Sequence, residues 1–254
     1  MASSVDHMDH LEAAHLAGEA GRLLVRLRMG IGETMTADEA RNRGDAESHE
    51  FLAQEISRLH PEDGLLSEEG KDDLTRLTRD RVWIIDPLDG TREFGEPPRD
   101  DWAVHVALAH RGRAIVGAVA LPGLGVVLST ANPPYANRSN GAVRLVVSRT
   151  RPPTSVVELA SVLGAELVSM GSAGAKAMAV VLGNADIYFH SGGQYEWDSA
   201  APVAVAKCAG LHVSRGDGSE ITYNHEDPWL PDVLICRPEL AEQALSAIGT
   251  VGSL

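Results

Sequence analysis

The sequence predicts a mixed α+β chain of the α/β class in two subdomains, and three observations carry that expectation. Two helical periodicities open the chain, an apolar run from Trp102 to Ala131 breaks into three strand-like pieces, and beyond residue 141 strands alternate with helices.

Residues 9–28 place Leu11, Ala14, Gly18, Gly21, Val25 and Arg28 at three- and four-residue spacing, with Leu24 beside them, as in an amphipathic helix with a small-residue packing face. Leu52, Ile56 and Leu59 mark a second helix over 45–60, with Asp45 placed to cap it after Gly44. Between them "GIGETMTADEARNRG" has no period and is expected to be a loop. Short strands follow at "GLLSE" (64–68) and "VWIID" (82–86). The run 102–131, punctuated by "HRGR" and "PGLG", reads as an antiparallel meander.

"NPPYANRSNG" (132–141) is rich in Pro, Asn and Gly, which sets the expected subdomain boundary there, with 1–140 on one side and 141–254 on the other. Strands "RLVVSR", "ELVSMG", "DIYFHS" and "DVLICR" then alternate with helices expected over 154–164, 173–184 and 198–210, as in a layer with crossover helices. The tail "PELAEQALSAIG" is expected to be a packing helix. No internal repeat or low-complexity segment interrupts the chain.

With 254 residues, 44% hydrophobic and 23% charged, the chain can bury a large core. Its 22 Lys and Arg against 36 Asp and Glu leave a formal charge of −14, which disfavours a nucleic-acid polymer or an anionic membrane as partner. An anionic substrate then calls for a local cation, and a divalent ion is the simplest. No apolar run approaches the ~20 residues of a membrane span, and "MASSVDHMDH" lacks the blocks of a signal peptide, so the cytoplasm is the expected compartment. Cys208 and Cys236 are expected to be buried thiols.

The stretch "WIIDPLDGT" (83–91) sets two carboxylates at the end of an apolar strand. Pro87 holds Asp86 in extended geometry, Gly90 lets a ligand approach the backbone, and the amides of Gly90 and Thr91 can face an anion. Two close carboxylates repel unless a cation such as Mg²⁺ sits between them. "DPLDG" is equally readable as a plain turn. "LLSEEG" adds Glu68, with Glu69 read as a surface charge, and "YEWDSAAP" adds Asp198, which can also be an ordinary helix-start charge.

Together the three segments resemble the inositol monophosphatase superfamily. "WIIDPLDGT" is similar to its first signature, "EWDSAAPVAVAKCAG" to its second, and Glu68 of "LSEE" stands where the family has its metal-binding glutamate. The similarity runs from about Asp45 to about Arg237. It implies a layered αβαβα sandwich of the sugar phosphatase type and a homodimer. Within the superfamily the motifs look most like the CysQ-type 3'(2'),5'-bisphosphate nucleotidases, which convert 3'-phosphoadenosine 5'-phosphate to AMP and phosphate. Fructose 1,6-bisphosphate or inositol phosphates are the alternative phosphate-ester substrates.

Carried over by position, the resemblance implies two or three Mg²⁺ ions held by Glu68, Asp86, Asp89 and Asp198 and by the Leu88 carbonyl, with Asp86 as the bridge. Asp45 helps hold the metal-site waters, and Thr91 with Glu68 orients the attacking water. Asp89, Gly90, Thr91 and Asp198 lie beside the substrate. "SMGSAGAKAMAVVLG" (169–183) looks like the family's substrate loop, so Gly171, Ser172 and Ala173 are expected to take a sugar or ribose and Lys176 to attract a second phosphate. A plain packing loop is the other reading of those small residues.

This chain departs from the family at "TMTADEARNRGDAE", where Asp38 has no secure match, and at "YFHSGGQYEWD", where His190 or Ser191 replaces an inositol-contacting glutamate. His7, His10 and His15 are read as a mobile terminus and His105 as a polar-face strand residue. Arg149 and Arg151 are read either as phosphate contacts or as surface charges.

Overall fold

The computed structural model describes residues 4–136 and 141–251. Helices α1 (His7–Arg28) and α2 (Ala37–Leu59) lead into a sheet of β1 (Gly64–Ser67), β2 (Arg81–Asp89), β3 (Ala103–His110), β4 (Arg113–Leu121) and β5 (Val126–Ser129). A single-turn helix, α3 (Thr91–Phe94), follows β2. The strands lie in chain order; β1 runs parallel to β2 and the rest form the expected meander.

The second half supplies β6 (Arg144–Ser148), α4 (Thr154–Leu163), β7 (Glu166–Met170), α5 (Ala173–Val181), β8 (Ile187–Tyr195), α6 (Glu196–Cys208), β9 (His212–Ser214), β10 (Trp229–Cys236) and α7 (Ala241–Val251). Its sheet has the order β7-β6-β8-β10-β9. β6 pairs in parallel with β7 and β8, as crossover helices α4 and α5 require, while β10 is antiparallel to β8 and β9.

Three apolar clusters stack these elements into five layers. Ala13, Leu16 and Leu24 of α1 and Leu52 and Ile56 of α2 cover one face of the first sheet, meeting Trp83, Ile85, Val104 and Val106. The opposite rows, Leu66 of β1, Val82 and Ile84 of β2 and Ala103, Ala107 and Ala109 of β3, pack against α5 and α6, whose other sides meet Val146, Tyr188 and Val233 of the second sheet. α4 and α7 close the far face. This is the αβαβα arrangement the resemblance implied.

Several local expectations are corrected. The stretch 30–44 is not all loop: α2 begins at Ala37, because Thr36 and Glu39 form a reciprocal capping box, so Asp45 lies inside the helix and does not cap it. β2 continues past Asp86 through Pro87 to Asp89, with a register irregularity between the two aspartates. α3 and β9 had no expected counterpart. His10 lies within α1 with its Nδ1 2.7 Å from Thr130 Oγ1, so this part of the N-terminus is helical and anchored. Cys236 is buried as expected, but Cys208 ends α6 and is exposed. The expected boundary at 132–141 includes residues 137–140, which lie outside the described residues.

Candidate active site

Strand alternation builds the site. Side chains two apart on a strand share a face, so Glu68 extends the row of Leu66, and Asp86 extends the row of Val82 and Ile84, towards the α5 and α6 layer. His105, directly opposite Asp86 in the β2–β3 register, lies in the same row as Ala103 and Ala107. α6 contributes Asp198 from its first turn. Three separated acidic segments therefore meet at one end of the interlayer core.

Their electrostatics record the convergence. Asp86 is fully buried, and burial followed by the charges of Asp89, Glu68 and Asp198 pushes its carboxyl well above the ordinary range. Glu68 keeps solvent access as a residue, yet its carboxyl hydrogen-bonds with Asp86; desolvation, reinforced by Asp89, Glu69 and Asp45, pushes it to about 7. Asp198 also rises to about 7, through burial and then Asp89. Its carboxylate accepts the Tyr195 N–H at 2.7 Å, so the ordinary helix-start role holds as well.

Asp89 behaves oppositely. Burial alone would raise it, but His105, Lys176 and Ser172 hold it below the usual carboxylate range. It accepts the N–H groups of Ala173 at 3.1 Å and Gly174 at 2.6 Å and the hydroxyl of Ser172, and thereby ties the start of α5 to the aspartate motif.

Asp45 reaches the site because α2 lies close against it: a Cβ at Gly44 would stand 2.9 Å from Leu88 Cδ2. Thr91 Oγ1 lies 3.4 Å from Asp45 Oδ1 and 3.1 Å from the Leu88 carbonyl. Burial, then Glu69, raises Asp45 to about 6. One turn on, Ser48 donates to the Pro87 carbonyl at 2.8 Å, and His49 pairs with Ser67. Gly90 adopts a φ of +85°, which a side chain would strain, so the glycine is required by the turn into α3.

Gly171, Ser172 and Ala173 do form the loop into α5, with Ser172 capping the Ala175 N–H. Asp101, which no sequence signal marked, receives the Gly171 N–H at 2.6 Å. Lys176 is buried, and its ammonium donates to the Ser172 carbonyl at 2.6 Å, so the amine expected to attract a phosphate is occupied in holding the loop. Asp38 sits on the exposed first turn of α2, paired with Arg41, and takes no part in the cluster. Glu69 is exposed, as expected.

His105 corrects its reading as a polar-face residue. It is fully buried, its Nε2 lies 3.2 Å from Asp89 Oδ2, and its Nδ1 lies 3.0 Å from the carbonyl of Trp197, next to Asp198. Burial alone would lower its pKa, but the Asp89 contact raises it.

The donor set fits hard divalent cations. Glu68, Asp86, Asp89 and Asp198 offer carboxylate oxygens, and the Leu88 carbonyl keeps a lone pair beyond the one Thr91 uses. Ligand atoms of Asp86, Asp89 and His105 all lie within 4.8 Å of one another. Burial first, and the neighbouring carboxylates after it, raise Glu68, Asp86 and Asp198, and a bound cation would counter both effects.

Comparison with known proteins agrees with this geometry. The chain is 49% identical over 241 residues to a protein of Mycobacterium bovis named 3'-phosphoadenosine 5'-phosphate phosphatase, covering 91% of this chain and 89% of the relative. It is 30% identical to the 3'(2'),5'-bisphosphate nucleotidase CysQ of Shigella flexneri, over 86% of this chain and 95% of that one. Among solved structures, CysQ from Bacteroides thetaiotaomicron superposes with a TM-score of 0.72 at 25% identity, covering 91% and 96% of the two chains. The profile described as the inositol monophosphatase family matches residues 10–252, and the chain belongs to that family.

Proposed function

We propose that this chain is a Mg²⁺-dependent phosphomonoesterase that hydrolyses 3'-phosphoadenosine 5'-phosphate to AMP and phosphate. The observation that carries the reading is the meeting of Glu68, Asp86, Asp89 and Asp198 with the Thr91–Asp45 pair beside a small-residue loop. The names of the two bacterial relatives support the substrate.

Magnesium supplies Lewis-acid stabilisation of the phosphoryl oxygens and activation of the attacking water when bound. Glu68, Asp86, Asp89, Asp198 and the Leu88 carbonyl would hold two or three such ions, with Asp86 buried among the other three carboxylates. Thr91 and Glu68 orient the water for in-line attack on phosphorus. The Thr91 hydroxyl can accept the water's proton while passing its own to Asp45, 3.4 Å away. The P–O3' bond then breaks, and the ribose oxygen takes up a proton from solvent water. Ser172 and Ala173 stay in place through Asp89, and Gly171 through Asp101. No covalent intermediate is needed, because positioning and charge stabilisation do the catalytic work.

The test is a substrate panel compared by kcat/KM with Mg²⁺ present. Adenosine 3',5'-bisphosphate is expected to lead; preference for fructose 1,6-bisphosphate or inositol 1-phosphate would overturn the substrate assignment.

A further inference from the structure

At the carboxyl ends of the parallel strands β6 and β7, a cleft of about 400 Å³ opens beside the substrate loop. Its walls include Gly90, Thr91 and Ser172, already placed at the reacting centre, and four cations: Arg92, Arg149, Arg151 and Lys176. Two of these are occupied. Arg149 binds Glu93 at 2.7 Å and Glu96 at 3.0 Å, and Lys176 is tied to the Ser172 carbonyl. Arg92 and Arg151 are exposed, and among the described residues their guanidinium groups make no hydrogen bond or ion pair.

We propose that Arg92 and Arg151 form the subsite for the second, non-reacting phosphate of a bisphosphate substrate. The assignment rests on the phosphatase reading above. In a chain with a formal charge of −14, two uncommitted guanidiniums lining one cleft are a local reversal of the field, and their planar donors match phosphate oxygens. Arg92 directly follows Thr91, and Arg151 lies three residues past the carboxyl end of β6, the kind of strand end at which open α/β sheets place ligands. The small and hydroxylated lining, Gly90, Ser148 and Thr150, leaves room for a phosphate without an opposing carboxylate, since the cleft's Glu93 is already paired to Arg149.

The experiment compares kcat/KM for adenosine 3',5'-bisphosphate and adenosine 3'-monophosphate in the wild type, Arg92→Gln, Arg151→Gln and the double variant. The wild type should prefer the bisphosphate, and that preference should weaken as salt rises. Each single substitution should cut the preference about tenfold, through KM and not kcat, and Arg151→Lys should restore part of it. A double variant that keeps the wild-type ratio, or a wild type with no preference for the bisphosphate, overturns the subsite. Should the wild type favour a sugar bisphosphate, the nucleotide reading falls. The arginine assignment is then judged by the same ratio between that sugar's bisphosphate and its monophosphate.

Discussion

Asp86 is where charge and burial conflict most directly, since its carboxyl is sealed from water among Asp89, Glu68 and Asp198. Asp86→Asn keeps the shape and removes the charge. It is expected to lower phosphate release by roughly 10³-fold or more, because loss of a carboxylate from the proposed cation site would cost several kcal/mol of transition-state stabilisation. Metal-free thermal melts at neutral pH should show a midpoint equal to or above wild type, as an amide is neutral there without having to take up a proton. A large drop in that midpoint would instead make Asp86 a folding residue. His105 acts through others: its Nδ1 pairs with the Trp197 carbonyl and its Nε2 lies 3.2 Å from Asp89 Oδ2, so the ring sits between the two segments that carry Asp89 and Asp198. His105→Leu should weaken Mg²⁺ binding about tenfold in calorimetric titration of the protein without substrate, and His105→Asn should recover part of it by keeping one donor. Unchanged Mg²⁺ affinity in the Leu variant would reduce His105 to packing. The aspartates were legible because their neighbours Pro87, Gly90 and Trp197 make local motifs. His105 was not, because a histidine on an alternating strand acquires its partners only when α5 and α6 fold over it.

Helices α2 and α5 translate sequence into site geometry in different ways. α2 presents Asp45, Ser48 and His49 on one face, so that a single element touches Thr91, the Pro87 carbonyl and Ser67. That role was hidden because its first two turns carry a polar pattern with no apolar period; only the Thr36–Glu39 spacing marks the true start. Thr36→Ala should therefore lower stability by about 1 kcal/mol in denaturant unfolding with kcat unchanged, since the cap is exposed and remote in role. α5 was legible in extent, but not in how tightly its first turn lies on the sheet. A Cβ on Gly174 would stand 2.0 Å from His105 Nε2, so Gly174→Ala must displace either the loop or the histidine. The expected result is a loss of ~1–3 kcal/mol together with a fall in kcat, read in one preparation by melting and by phosphate release. Full activity at wild-type stability would mean that the loop and His105 need not touch.

Across the whole molecule, layer order follows from which strand rows are apolar, and those rows were readable in the meander and in the alternation after residue 141. What no local pattern shows is that α5 and α6, from the second half, cover the first sheet, so that Asp198 meets Glu68 and Asp86 across the chain. That long-range meeting has a stability signature. Asp45 rises from 3.8 to about 6, Glu68 from 4.5 to about 7, Asp198 from 3.8 to about 7, and Asp86 also rises. Between the ordinary and the raised values the folded chain binds more protons than the unfolded one. The stability from these groups is therefore complete below the unfolded pKa values and is lost as pH rises through the folded ones. His105, also raised, acts with the same sign, while the depressed Asp89 acts oppositely but only at more acidic pH. The metal-free melting temperature should accordingly fall by several degrees between about pH 5.5 and about pH 8, at roughly 2–4 °C per kcal/mol for a chain of this size. Saturating Mg²⁺ should raise the midpoint most at the alkaline end and flatten the profile, because the ion replaces the protons as counter-charge. Scanning calorimetry with and without Mg²⁺ decides it: parallel profiles, offset equally at every pH, would mean that the carboxylates do not share one cation field.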